Sequence, residues 1–179
     1  MMTTRHIPMV ALCVMMATSG WGEEAPPSPE LVVKEFYAAC FEARPSGLPT
    51  EAELKILSPF FSPELAALFV KARKYQAGHI RAYPDDKPPL MEGDLFSSLF
   101  EGPTGFEVGP SEKMDQRHRR VYVRFSHVDP KDPEDVFRWK DAVIVKRQGN
   151  GFVIEDFEFL GDWPFKNGDR LSAILKNLE

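Results

Sequence analysis

Apolar residues recur at spacings of three and four in the first half of the chain and at alternate positions in the second. Val32, Val33, Phe36, Tyr37, Cys40 and Phe41 share one broad face of a helix, with Lys34, Glu35, Glu42 and Arg44 on its wet side or margin. Ser28 and Pro29 read as its N-cap and first residue, and Pro45, Gly47 and Pro49 end it after Ala43. Thr50 caps a second helix over 51–57, with Glu53 completing a capping box, and Ser58-Pro59 stops it. Ser62-Pro63-Glu64 opens a third, with Leu65, Leu68, Phe69, Ala72 and Tyr75 at helical period. Lys71, Arg73 and Lys74 fall in its last turns, where the helix dipole favours cations.

From His79 to Gly102 the pattern is irregular, and the prolines at 84, 88 and 89 forbid a regular element there. Tyr83, Leu90, Leu95, Phe96, Leu99 and Phe100 are too apolar for a solvated linker, so this loop is expected to pack down. Asp94 is expected to cap a short turn within it. After Gly102-Pro103 the period becomes two. Phe106 and Val108 mark a short strand, and Val121, Val123 and Phe125 alternate with Tyr122, Arg124 and Ser126 in a second. His127 to Glu134 reads as a turn or excursion. Phe137, Trp139, Val143 and Val145 form a long strand, which Gln148-Gly149-Asn150-Gly151 turns into a last strand over 152–159. Residues 170–178 predict a short helix. Helices first and a strand meander second predict an α+β domain, without the crossovers of a parallel sheet.

The amino terminus reads as an address. Arg5 precedes an apolar run from Ile7 to Met16, and no acid appears before Glu23, the pattern of a secretory signal peptide over 1–22. The expected layout is therefore signal 1–22, polar leader 23–29 and a single domain over 30–179. The run is too short to span a bilayer, and the mature chain has no transmembrane segment. Cys13 follows Leu12 inside the apolar run, which argues against lipid anchoring. The expected location is periplasmic or secreted. Of two cysteines only Cys40 survives cleavage, so no intrachain disulfide is expected. The 179 residues carry a formal charge of −5, and losing Arg5 makes the mature chain more negative still. Nucleic acid is not expected as a partner.

Several stretches together resemble a known group. They are the opening helix, Leu57-Ser58-Pro59-Phe60-Phe61-Ser62-Pro63-Glu64-Leu65, Gly93-Asp94-Leu95-Phe96-Ser97-Ser98, Phe100-Glu101-Gly102-Pro103, and the hairpin from Arg138-Trp139-Lys140-Asp141 to Leu160-Gly161. Their order resembles the DUF3828 family of exported bacterial domains, within the NTF2-like superfamily. The resemblance implies an NTF2-like cone: N-terminal helices packed on a curved antiparallel sheet, a cleft between them and a short C-terminal helix. It implies no reaction.

Candidate chemistry is sparse. His79, His118 and His127 lack metal-site spacing, and Asp85, Asp86, Glu92 and Asp94 lack the alternation of a calcium loop. No metal or cofactor is expected. Ser97-Ser98 lack a glycine elbow, and no glycine-rich loop opens a helix. Tyr37, Trp139, Asp141 and Asp156 are the pocket candidates. Asp141 and Asp156 interrupt apolar strand faces, either as pocket bases or as acids displaced by bulges or paired with Arg124 or Arg170. Arg117, Arg119 and Arg120 are candidates for docking an acidic partner, and Lys71, Arg73, Lys74 and Arg81 form another basic stretch. Two functions remain open. One is a non-enzymatic module binding an envelope protein or a small apolar ligand. The other is a small lyase, isomerase or hydrolase using acids in the pocket.

Overall fold

The N-caps expected from the sequence are formed. In a computed structural model, which describes residues 27–163 and 169–178, the Leu31 amide donates to Ser28 Oγ and the Leu65 amide to Ser62 Oγ. These caps start α1 (Pro29–Ala43) and α3 (Pro63–Ala82), each with proline in the first turn, where no N–H is needed. Between them α2 (Glu51–Leu57) opens on the reciprocal Thr50–Glu53 box, and a single 3₁₀ turn, Ser58–Phe60, follows. α3 continues past the expected break at His79. It ends where Pro84 disfavours helical geometry in the residue before it, and Tyr83 takes φ −135°. The predicted signal peptide and residues 23–26 of the leader lie outside the described residues.

The second half is a meander of β1 (Gly105–Lys113), β2 (His118–Asp129), β3 (Asp132–Gln148) and β4 (Gly151–Glu158), followed by α4 (Leu171–Lys176). β2 and β3 run through the segment expected to be an excursion. Only Pro130-Lys131 turns there, and Pro133 sits where the register slips. At the next turn Gly149 takes φ 57°.

The sheet order is β1-β2-β3-β4, all antiparallel, with β1 and β4 as its two edges. This corrects the expected cone: the helices and the antiparallel sheet are present, but the sheet stays open. α1 lies across one face and touches β1, β2 and β4 together. Its Phe36 and Tyr37 therefore occupy the space that a hollow cone would enclose. β4 is covered instead by single bridges to Phe61 and Arg170.

Phe36 is the hub of the core. Its ring has five aromatic neighbours at 5.1–5.9 Å: Tyr37, Phe60, Phe61, Phe96 and Phe157. They come from helix, 3₁₀ turn, loop and strand, so one side chain joins both halves of the chain. Val121, Val123, Phe125, Val143 and Val145 supply the sheet side, all buried on the alternation expected of them.

The 83–102 loop is packed down, but not by all the residues expected. Leu95 and Phe96 are buried, whereas Tyr83 and Phe100 are 57% and 47% exposed. Phe96→Ala is therefore expected to cost about 3–5 kcal/mol in urea unfolding. Phe100→Ala should change stability by about 1 kcal/mol or less, because little burial is lost. Equal losses for the two variants would contradict this account of the loop.

Candidate functional site: the cleft between α1 and the 92–104 loop

Backbone hydrogen bonds hold the loop over the C-terminal half of α1. The Gly47 amide donates to Gly93 O (2.7 Å) and the Leu48 amide to Leu90 O (2.9 Å). Gln76 Nε2 donates to Pro89 O (2.8 Å) from α3. The loop closes on itself through the Asp94 amide and Phe100 O (2.8 Å). Gly93 takes φ 91°, and a Cβ there would lie 2.4 Å from the Phe100 ring, so both the turn and the ring's seat need glycine.

This arrangement leaves a cleft of about 760 Å³. Tyr37, Cys40, Phe41 and Arg44 of α1 and its cap form one wall; Glu92, Asp94, Phe96, Phe100 and Glu101 belong to the other. Tyr37 lines this cleft and not the interior of a cone, and its hydroxyl is engaged, donating to Phe96 O at 2.8 Å. Burial first, then the acidic neighbours Asp141, Cys40 and Asp94, push that hydroxyl well above its ordinary range. Burial, then Asp94, likewise raises the Cys40 thiol well above its usual value, so Cys40 is not a ready nucleophile.

Asp94 is the least exposed of the three acids that line this cleft. It accepts the Phe96 amide at 3.0 Å, as the turn cap expected of it. Its residue is half-buried while Oδ2 is shielded from solvent. Burial pushes its pKa from 3.8 up to about 6; hydrogen bonds from Ser97 and the Phe96 amide oppose the shift, and Asp141 adds to it. The sequence offers Asp94 as a turn cap, a solvated loop acid or a member of an acidic group without calcium-loop spacing, and not as a cleft acid. Its position after Gly93 and before Leu95-Phe96, an acid inside an apolar loop, was the available signal.

The other three pocket candidates lie elsewhere. Trp139 packs on Phe125, Phe137 and Trp163, and its Nε1 donates to Asp141 Oδ2 at 3.0 Å. Asp141 is buried, with four donors: Trp139 Nε1, the Ser98 amide (2.8 Å), the Ser98 hydroxyl and the Leu160 amide (2.8 Å). No bulge displaces it, and hydrogen bonds satisfy it where it stands. Asp156 is displaced. The β3–β4 register slips by one residue at Glu155, which turns Asp156 to the outer face. There it accepts the Ser172 amide (2.9 Å) and hydroxyl (2.7 Å) at the start of α4, with Arg170 at 3.8 Å.

The arginine cluster is split by strand alternation. Arg120 pairs with Glu158 at 2.7 Å on the outer face, while Arg119 donates to the Asp115 and His118 carbonyls. At Arg117 it is the amide that binds Asp115. The three guanidinium groups therefore do not form one patch. Among the described residues no group of three or more His, Cys, Asp or Glu is placed to hold a metal. No helix among them is long and apolar enough to cross a membrane.

No protein-family model matches the chain, and no curated protein matches it. The functional reading therefore rests on the geometry of the cleft.

Two outcomes follow. Asp141→Ala strands several buried donors and should cost about 3 kcal/mol or more in urea unfolding; Asp141→Asn, which keeps an acceptor, should cost less. The folded chain keeps the Asp94 proton that the unfolded chain releases from about pH 4. Stability from this group is complete below that pH and falls as pH rises to about 6, by at most about 3 kcal/mol. Asp94→Asn should flatten that part of the stability profile in denaturant titrations between these pH values. An unchanged slope would show that Asp94 is not the group responsible.

Proposed function

We propose that this chain is an exported, non-enzymatic binding module of the periplasm, and that the α1–loop cleft takes a small molecule with an apolar body. Export is supported by Arg5, the apolar run after it and the absence of acids before Glu23. Binding is supported by the cleft itself. Its volume of about 760 Å³ falls in the usual range of ligand sites, about 300–1,000 Å³. Four aromatic side chains line it: Tyr37, Phe41, Phe96 and Phe100. Phe100 carries the reading, since a large aromatic side chain left 47% exposed on a cleft wall gains contact when a ligand enters.

The non-enzymatic part rests on commitment of the polar groups. Tyr37 donates to a backbone carbonyl, Asp141 has four donors, and Asp156 serves α4. One observation favours a second reading. Asp94, with a pKa of about 6 beside a cleft, is suited to acid–base chemistry at neutral pH.

Titration with the neutral dye phenylnaphthylamine tests the binding reading. Saturable fluorescence enhancement is expected, weakened about tenfold or more by Phe100→Ala, roughly 1.4 kcal/mol, and removed by Ser46→Trp at the cleft mouth. Binding that ignores both substitutions would overturn it. An acid–base enzyme would instead lose turnover of its substrate in Asp94→Asn while binding survived. N-terminal sequencing of exported material should begin within three residues of Glu23; a retained Met1 would exclude the predicted cleavage.

A further inference from the structure

The second half of α3 has a gap in its side-chain pattern. Ala72, Gly78 and Ala82 line a groove of about 490 Å³ with Leu175 and Leu178 of the C-terminal segment. A Cβ added at Gly78 would meet nothing within 4 Å, and the residue has no positive φ. Glycine inside a helix is unfavourable relative to alanine. Neither close packing nor backbone geometry requires it here, and its effect is to keep the groove open. Tyr75 and Tyr83 stand beside this floor, 40% and 57% exposed.

The charged side chains on the lining are Lys71, Lys74 and Arg81, all basic, in a chain whose formal charge is −5. Neither Lys74 nor Arg81 has an ion-pair partner among the described residues. His79 Nε2 is buried on the same lining, with no hydrogen-bond partner among the described residues. An apolar floor, a cationic rim and an unused imidazole nitrogen describe one kind of guest.

We propose that this groove binds a single-chain anionic amphiphile, with its hydrocarbon chain along Gly78, Ala82 and Leu178 and its carboxylate at the basic rim. The cations belong to the groove, whereas the exposed Val70 and Ile80 lie off its lining, so the helix offers a slot and not a flat apolar platform for a bilayer. The site is separate from the α1–loop cleft and does not depend on a ligand there.

The test uses the full mature chain and dansylaminoundecanoate as the probe. Saturable binding is expected, displaced by dodecanoate and not by dodecyltrimethylammonium. Gly78→Leu, which fills the slot, and the double variant Lys74→Glu/Arg81→Glu should each weaken it about tenfold or more. Gly78→Ala should fold with at least the wild-type melting temperature and keep most of the binding, and circular dichroism checks that the others fold. Lys113→Ala, on β1 and outside both linings, should leave it unchanged. The proposal fails if the probe does not saturate, if the ammonium competes equally, or if Phe100→Ala and not Gly78→Leu weakens binding. Sedimentation with phosphatidylglycerol vesicles that dodecanoate cannot prevent would assign the face to a membrane and overturn it as well.

Discussion

The buried carboxyl of Asp141 ties together three segments of the chain with directional contacts. Its donors come from the loop at Ser98, from its own strand at Trp139, and from the chain leaving β4 at Leu160. An acid inside a core is unfavourable unless hydrogen bonds replace water, and here they do. Because Ser98 is held, Phe96 is carried to the Phe36 ring and its carbonyl to the Tyr37 hydroxyl. The wall of the cleft is thus a consequence of a polar contact buried behind it. Burial of the aromatic cluster supplies the larger favourable free energy, but it is non-directional; the Asp141 contacts select one placement of the loop.

That placement shapes the chemistry of the cleft. The hydroxyl and thiol on the α1 wall are shielded and hard to ionise, and burial pushes the pKa of Asp94, one of three acids on the opposite wall, up to about 6. Tyr37 and Asp141, by contrast, commit their polar groups to the fold itself.

Local structure was legible wherever one residue's chemistry decides it. Ser28, Thr50 and Ser62 cap as expected because their hydroxyls accept nearby amides, and Gly149 turns the hairpin where the pattern placed it. The apolar faces of α1, β2 and β3 also follow the sequence period. What escaped was set by distance in space. Open and closed sheets share the same alternation; the difference lies in whether the two edge strands pair. Asp94 and Phe100 sit in one loop with similar neighbours in sequence, yet one carboxyl oxygen is shielded and the other residue's ring is half exposed. Arg119 and Arg120 are adjacent in sequence and therefore opposite in space, which is why a basic run in a strand does not make a basic patch.

The slip at Glu155 gives β4 one residue more than its partner needs. On both sides of it the pairing with β3 is regular, and Phe157 regains the core face opposite Val143. The strand therefore carries its own slack. A chain shortened by that residue alone could keep Ile154, Phe157 and α4 in their present neighbourhoods, giving up chiefly the contacts of Glu155 with His118 and Lys146. A deletion among the regularly paired residues would instead invert the strand downstream and drive Asp156 toward the aromatic interior. Strand length can therefore change at Glu155 without turning over the alternation on either side of it.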